Sequence, residues 1–210
     1  MGPDKICAVL RRLAAKAVPD GGASPSPRLS SRDLGALLEA AELIERAYLP
    51  VRRTQTELPS GSRAAEGLCL VMNIDGAARG NPGPAGIGVM IREEDGPLER
   101  ELWKYIGRAT NNVAEYEALL LALSEAGRLK AAEVTIRSDS ELLVRQVQGR
   151  YRVRNPRLGE LHSQACNLMK AIPSFHIEHV GRERNCQADA LANRAIDEAL
   201  AGSRRDEGRT

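Results

Sequence analysis

Four carboxylates in this sequence hold positions from which they could act together. Asp75 and Asp139 each end a run of β-forming residues. Glu115 and Asp189 each lie early in a stretch with helical periodicity, on its apolar side. Taken singly, each acid also fits a turn, a helix cap or a solvated helix face. If the fold brings the four to one edge of a sheet, they would repel one another, and some of their pKa values would be raised.

A divalent cation would relieve that repulsion. Ligands that are all carboxylate oxygens favour Mg²⁺ or Mn²⁺ over zinc. Two such ions, roughly 3.5–4 Å apart, suit the in-line hydrolysis of a phosphodiester bond. The four acids therefore predict an oxygen-ligated metal site, provided that the elements around them have the right order.

The order of apolar runs predicts the elements that must position these acids. The first three strands are joined by short connections, which predicts an antiparallel meander. Strands and helices then alternate, which predicts right-handed crossovers and parallel pairing. The predicted strands are at about 68–75, 85–92, 98–106, 132–139 and 174–180, and the helices at about 112–128, 140–148, 157–171 and 186–200. The fold class is α/β, a five-stranded mixed sheet flanked by helices.

Composition divides the chain into four segments. Residues 1–50 predict a small helical appendage that could dock on the main domain, dimerise, or contact nucleic acid or a partner. Residues 51–66 are polar and lack periodicity, which predicts a linker. The main domain covers 67–202, and the charged residues 203–210 predict a flexible tail.

Composition also narrows the class of protein. The 30 basic and 28 acidic residues nearly cancel, so net charge does not identify a partner. The apolar runs are far shorter than a membrane span, and the N-terminus lacks the apolar region of a signal peptide. The four cysteines form no CxxC pair and have no zinc-ligand spacing. We therefore expect a cytoplasmic protein with reduced thiols and no membrane partner.

Five blocks of this sequence resemble type 1 ribonuclease H and occur in that family's order. The resemblance covers about residues 67–200 and fits the archaeal and bacterial branch without a basic protrusion, here with an extra N-terminal helical segment. It implies strand order 3-2-1-4-5 and endonucleolytic cleavage of the RNA strand of an RNA–DNA hybrid. It implies 5′-phosphate and 3′-hydroxyl products and no small-molecule cofactor. The blocks are IDGAARGNPGPAGIG, TNNVAEYEAL, IRSDSELLVRQVQG, HVGRERN and QADALA.

The resemblance also assigns roles to the four acids. Asp75 would bridge two Mg²⁺ ions, for which Mn²⁺ could substitute. Asp189 would join it on the ion that holds the attacking water. Glu115 and Asp139 would join it on the ion that stabilises the leaving 3′ oxygen. The implied nucleic-acid contacts in the glycine-rich turn and at the starts of two helices are Gly76, Asn81, Gly83, Thr110, Asn111, Asn112 and Ser140, although the two asparagines 111 and 112 could instead cap their helix.

This sequence departs from the family pattern in the loop before the last acid and after the Asp139 helix. Many members have a catalytic histidine in that loop, whereas here Arg182 takes the place of the arginine found in one branch, with Arg184 as its rival. His179, in the preceding strand, fits a structural role. Glu141 replaces a glutamine that touches RNA in many members. A short basic stretch follows, in which Arg150, Arg152 and Arg154 are predicted to contact phosphates.

Two further classes of function stay open at this point. A ribonuclease-H-like fold could hold nucleic acid without cutting it, although a pure binder gains nothing from clustered acids near phosphates. The fold could also carry a different nuclease activity, such as that of an exonuclease or a resolvase. The two blocks around Asn81 and Asn111 argue against that second reading.

Overall fold

The structure, a computed structural model, describes residues 52–53 and 67–207, with side chains at 67–202. All of these residues belong to the unit that spans Val51–Thr210. The predicted N-terminal helices lie outside the described residues.

The residues that the structure describes form six strands, four helices and one 3-10 turn. The strands are β1 (Arg52–Arg53), β2 (Cys69–Ala78), β3 (Gly83–Glu93), β4 (Glu99–Ala109), β5 (Glu133–Ser138) and β6 (Ser174–His179). The helices are α1 (Asn111–Arg128), α2 (Glu141–Val147), α3 (Pro156–Met169) and α4 (Cys186–Glu207), and the 3-10 turn is Arg182–Arg184. Helix α4 thus continues into the segment predicted as a tail.

The strands form one mixed sheet in the order β1-β4-β3-β2-β5-β6. Strands β2, β3 and β4 pair antiparallel, while β5 pairs parallel to both β2 and β6. The predicted five-stranded sheet with order 3-2-1-4-5 is confirmed, as β4-β3-β2-β5-β6. Within the predicted linker, Arg52 and Arg53 pair antiparallel with Trp103 and Leu102, which adds a two-residue strand at the β4 edge.

Successive residues of β3 face opposite sides of the sheet, and both sides are covered by helices. Ile87 and Val89 are buried in the larger hydrophobic core, together with residues of α1. Gly86 and Gly88 lie at the alternate positions and therefore face the other way. A Cβ on Gly88 would lie 2.2 Å from the carbonyl oxygen of Ala188 in α4. Glycine at this position allows the last helix to pack directly on the strand.

Small residues also bring α1 close to the sheet. Its inner face carries alanines at a spacing of four, with larger aliphatic side chains between them, as expected of an amphipathic helix. The short side chains let the helix backbone approach β2, and this close approach places the start of α1 near the acids. The fully buried residues on this face include Ala114, Ala118, Leu119, Ala122, Leu123 and Ala126.

Two further observations bear on the expectations from composition. Within the described part of the chain, every helix is too short or too polar to cross a membrane. Cys166 and Cys186 are free thiols.

Candidate active site

Asp75 lies within β2, opposite Gly88 of β3. The strand was expected to end at this acid, but it continues to Ala78 because the last residues of β2 pair with β3 in a long hairpin. The parallel ladder between β2 and β5 ends earlier, at Asn73 and Arg137. Asp75 therefore lies just beyond the parallel ladder, at the edge where β5 also ends.

Glu115 lies in the second turn of α1, directly above β2. Thr110 caps this helix by accepting a hydrogen bond from the backbone nitrogen of Val113 on its hydroxyl oxygen (3.4 Å). Gly76 follows Asp75 in β2, and a Cβ on Gly76 would lie 2.3 Å from the backbone nitrogen of Glu115. The glycine thus lets the helix approach the strand, which brings the two acids to the same place.

Two side chains hold the Glu115 carboxylate. Asn111 donates from Nδ2 to Oε1 at 3.0 Å, and Ser140 donates from Oγ to Oε2 at 2.7 Å. Ser140 is also the N-cap of α2, where its oxygen accepts a hydrogen bond from the backbone nitrogen of Leu143. Both Asn111 and Ser140 were predicted to contact nucleic acid; in the structure their side chains orient an acid.

The strand predicted to end at Asp139 ends one residue earlier, at Ser138, so that Asp139 directly follows β5. Its two carboxylate oxygens have different partners. Asn185 donates from Nδ2 to Oδ1 at 3.0 Å. Arg182 places Nε 3.5 Å from Oδ2, while its side chain is 94% exposed. His179 lies in β6 with Nε2 3.2 Å from the backbone carbonyl oxygen of Asp139, which fits the structural role expected of it.

Asp189 lies in the first turn of α4 and is exposed. Asn193, one turn later, donates from Nδ2 to its Oδ1 at 3.2 Å. Asp189 also lies close enough to Asp75 for its negative charge to help raise the pKa of the Asp75 carboxyl. The structure therefore brings together all four acids that the sequence singled out, from β2, α1, the end of β5 and the start of α4.

The electrostatics of the cluster are those of carboxylates crowded together and partly removed from water. Burial, with the negative charges of Asp139 and Asp189 beside it, raises the pKa of Asp75 to about 7. Burial and Asp139 also raise the pKa of Glu115, while the hydrogen bonds from Ser140 and Asn111 oppose that change. Full ionisation of the four carboxyl groups is therefore unfavourable unless a cation compensates their charge.

The donor set fits a hard divalent cation, since it consists of carboxylate oxygens that repel one another. Among residues 67–202, whose side chains the structure describes, no three acid, histidine or cysteine side chains already form a ready-made metal-ligating group. A cation would therefore have to draw the acids closer together. The raised pKa of Asp75 shows that the ionised carboxylates are unfavourable where they are. A bound cation would replace their mutual repulsion by attraction, and this gain favours the movement of the acids toward it.

The glycine-rich turn beside the acids joins β2 to β3. Gly80 has a φ of 96°, which favours glycine. Asn81 is exposed and accepts a hydrogen bond on Oδ1 from the backbone nitrogen of Asn111 (3.2 Å), which connects the turn to α1. Gly83 is buried, and a Cβ there would lie 2.0 Å from the carbonyl oxygen of Arg79. Of the two nucleic-acid contacts predicted in this turn, Asn81 exposes its side chain to solvent, whereas Gly83 is buried inside the turn.

The remaining predicted nucleic-acid contacts occupy different environments. Asn112, the second residue of α1, is exposed, whereas Gly76 is buried under that helix. The basic stretch after α2 is largely exposed. Within it, Arg150, Arg152 and Arg154 are exposed, and none of them forms an ion pair with any residue between 67 and 202.

Tyr151 lies within the basic stretch and is 46% exposed. Arg145 places its guanidinium 5.0 Å from the centre of the tyrosine ring and also pairs with Glu141. Glu141 thus forms an ion pair with an arginine of its own helix.

Two residues at the centre of the site were not predicted. Asn185 and Asn73 are buried and form a side-chain pair, in which Asn73 donates from Nδ2 to Oδ1 of Asn185 at 3.1 Å. A weak signal exists for each in the sequence. Asn73 interrupts an apolar strand, and Asn185 stands immediately before a predicted helix, where asparagine is a preferred cap.

The fold and the four acids define a ribonuclease-H-like domain, and comparison with known proteins specifies it further. Residues 73–195 match a family described as "Reverse transcriptase-like". Ribonuclease HI from Halobacterium salinarum is 36% identical over 196 residues, which cover 90% of this chain and 96% of the relative. This chain belongs to the type 1 ribonuclease H family.

Two other relatives show how far the likeness reaches. Bifunctional protein Rv2228c from Mycobacterium tuberculosis is 43% identical over 138 residues, which cover 65% of this chain but 38% of that protein's length. The crystal structure of LC11-RNase H1 in complex with an RNA/DNA hybrid matches with a TM-score of 0.59 and 47% identity, over 62% of this chain and 99% of the other. These matches concern the domain that carries the acids.

Proposed function

We propose that this protein cleaves the RNA strand of RNA–DNA hybrids by metal-dependent, endonucleolytic hydrolysis. The observation that carries the proposal is the environment of Asp75 at the end of the parallel ladder, where burial and the nearby charges of Asp139 and Asp189 raise the pKa of its carboxyl to about 7. Family membership supports the same activity, since the relatives that match the domain include proteins named ribonuclease HI and ribonuclease H.

The four acids would hold two Mg²⁺ ions, for which Mn²⁺ could substitute. When bound, such ions lower the pKa of water and stabilise the charge on a leaving oxygen, which would yield 5′-phosphate and 3′-hydroxyl ends. The protein's part is to orient the ligands. Ser140 and Asn111 fix both oxygens of Glu115, so this carboxylate cannot turn freely away from the site.

Substrate binding would use the surfaces on either side of the acids. The exposed amide group of Asn81, in the glycine-rich turn, can reach the RNA backbone or its 2′-hydroxyls, which distinguish RNA from DNA. Asn112 and the N-terminus of α1 lie next to this turn and suit a phosphate. The hybrid bound by LC11-RNase H1, a relative with 47% identity, supports the choice of substrate.

The basic stretch would hold the hybrid at a distance from the chemistry. Its three exposed arginines, at positions 150, 152 and 154, can contact phosphates, and the release of counterions would favour binding. Arg182 lies beside Asp139 and would assist by binding a phosphate or promoting product release.

A cleavage assay with Asp75→Asn tests the proposal. The variant should cut no hybrid labelled in its RNA strand, while its fold and its affinity for the hybrid stay close to those of the unaltered protein. Asp95→Asn is the matched control because Asp95 is an exposed carboxylate in the β3–β4 turn. Chelation of divalent ions should abolish cleavage, and Mg²⁺ or Mn²⁺ should restore it.

The substrates compared in the same assay distinguish the competing functions. Cleavage of the hybrid, with duplex DNA and duplex RNA left intact, supports the proposal. Binding without cleavage by the unaltered protein in Mg²⁺ and in Mn²⁺ would indicate a nucleic-acid-binding module instead. Cleavage of duplex DNA at a comparable rate would indicate a different nuclease on the same fold.

A further inference from the structure

Asn185 is a buried side chain that connects the elements carrying the acids. It is 1% exposed and lies between the 3-10 turn and α4. Its Nδ2 donates to the carbonyl oxygen of Ile74 at 3.0 Å and to Oδ1 of Asp139 at 3.0 Å. An amide nitrogen carries two hydrogens, so these two contacts use both of them. Ile74 directly precedes Asp75, and one side chain therefore fixes the β2 and β5 acids relative to each other.

The backbone of Asn185 extends this connection to a third acid. Its carbonyl oxygen accepts a hydrogen bond from the backbone nitrogen of Asp189 at 3.1 Å, at the start of α4. The position from which Asp189 projects is thus set by the same residue that binds Asp139. Three of the four acids are tied to Asn185, from β2, from the end of β5 and from α4.

Asn73 determines which way the Asn185 amide faces. From β2, Asn73 donates to Oδ1 of Asn185 at 3.1 Å and to the carbonyl oxygen of Arg184 at 3.0 Å. If the Asn185 amide were turned over, its oxygen would face the oxygens of Ile74 and Asp139, and its nitrogen would face a donor. That arrangement would lose the hydrogen bonds and leave buried polar groups unpaired, which is unfavourable.

We propose that Asn185 is a positioning residue for the acidic cluster and that Asn73 acts through it. By occupying Oδ1 of Asp139, Asn185 leaves Oδ2 as the oxygen on the open side of the site, where Arg182 also lies. It holds like charges near one another in the absence of a cation, and so prepares the cluster to bind one. This role rests on the proposed function, because the proposed function is what requires the acids to bind a metal ion.

The experiment compares Asn185→Ala, Asn73→Ala and the double variant in the full chain. The binding of Mn²⁺ without substrate is measured by titration calorimetry, and kcat and KM are measured on a hybrid. Loss of the side-chain contacts that orient a ligand should weaken Mn²⁺ binding and lower kcat by about 10–100-fold in Asn185→Ala. KM for the hybrid should stay unchanged, since Asn185 is buried away from the binding surface.

The double variant tests whether Asn73 acts through Asn185. Asn73→Ala should cause a smaller loss of Mn²⁺ affinity and of kcat, and the double variant should lose no more than Asn185→Ala alone. Additive losses would show that Asn73 acts independently and would overturn that part of the inference. Gln148→Ala is the control, because it removes another amide-to-carbonyl hydrogen bond, to Ile177 of β6, which holds none of the four acids; it should leave Mn²⁺ binding and kcat unchanged.

A folded Asn185→Ala protein with unchanged Mn²⁺ affinity and kcat would overturn the inference. If that variant does not fold, Asn73→Ala provides the test, and unchanged Mn²⁺ binding in it would have the same meaning. The two proposals can fail separately. An unaltered protein that binds Mn²⁺ but cuts no hybrid would overturn the proposed function, while the comparison of Mn²⁺ affinities would still decide the role of Asn185.

Discussion

Gly76 and Glu115 are in contact across the interface between β2 and α1, so closely that a Cβ on Gly76 would lie 2.3 Å from the backbone nitrogen of Glu115. The same atom would lie 2.2 Å from the backbone carbonyl carbon of Ala114. Both neighbours are backbone, which a change of rotamer cannot move aside. Because glycine has no side chain, Gly76 allows the short distance between Asp75 and Glu115.

Gly76→Ala should force α1 away from β2. We expect a loss of about 1–3 kcal/mol of stability, as in other overpacked cores, and a loss of cleavage that exceeds the loss of hybrid binding. Denaturant unfolding and the hybrid assay measure the two effects. Gly127→Ala, within α1, is the control, because nothing lies within 4 Å of a Cβ at that position. It should stabilise the protein by about 0.5–1 kcal/mol. Normal cleavage by a folded Gly76→Ala protein would contradict this account.

Ser140→Ala should change both the stability and the pH dependence of cleavage. The variant loses the N-cap of α2, which costs about 1 kcal/mol. It also loses the hydrogen bond to Glu115 that opposes the rise of that carboxyl's pKa. The pKa of Glu115 should therefore rise further, and the increase of kcat with pH should move to higher pH.

Asn155→Ala separates these two effects of Ser140→Ala. Asn155 caps α3 by accepting a hydrogen bond from the backbone nitrogen of Leu158, whereas the side chains that donate to Glu115 are Asn111 and Ser140. Its loss should lower stability by a similar amount and leave the pH profile of kcat in place. If both cap variants gave the profile of the unaltered protein, the hydrogen bond from Ser140 would have no part in tuning Glu115.

The raised pKa of Asp75 predicts how stability depends on pH in the absence of metal. The folded protein holds this proton up to a pH of about 7, while the unfolded chain releases it near the ordinary aspartate pKa of 3.8. The folded state therefore binds more protons between these values, and its stability falls as pH rises through that window, by at most about 4 kcal/mol. Urea unfolding in a chelator, compared at pH 5 and pH 8, measures the change.

Asp75→Asn should lose most of this pH dependence, since the amide does not titrate. The variant should be the more stable of the two proteins at pH 8 without metal, because the amide puts no charge in this buried position and is not repelled by Asp139 and Asp189. Equal changes in stability with pH for both proteins would show that Asp75 does not carry the shifted proton.

The sequence was enough to predict the sheet and the four acids, because both depend on local patterns. Glu115 could be placed since it shares a helical face with apolar residues such as Leu119. The end of β2 was misplaced, because Asp75 and Gly76 resemble the start of a turn, whereas pairing with β3 extends the strand to Ala78. Only the partner strand determines where an antiparallel ladder ends.

The residues that hold the acids could not be predicted in the same way. Asn73 and Asn185 are 112 positions apart, and a hydrogen bond across that distance leaves no periodicity in the sequence. Ser140 could be recognised as a cap, but its contact with Glu115 depends on how α2 is placed beside α1. The two-residue strand β1 has no apolar alternation of its own and is defined by its pairing with β4.

The choice between Arg182 and Arg184 can be settled by substitution. Arg182 lies with Nε 3.5 Å from Oδ2 of Asp139, on the open side of the site, and can reach a phosphate there. Arg184 contributes its backbone carbonyl oxygen to the buried Asn73, and its side chain is exposed. Arg182→Ala should lower kcat about tenfold, as expected for the loss of one hydrogen bond to a charged group, whereas Arg184→Ala should leave kcat unchanged.

Arg182→Lys refines this prediction, because lysine keeps the charge but loses the planar guanidinium that binds phosphate with two parallel hydrogen bonds. It should recover part of the lost turnover. If product release is the step that Arg182 assists, single-turnover cleavage by Arg182→Ala should be less impaired than steady-state cleavage. A tenfold loss in Arg184→Ala with normal turnover in Arg182→Ala would reverse the assignment, and a loss in both would mean that the two arginines share the phosphate.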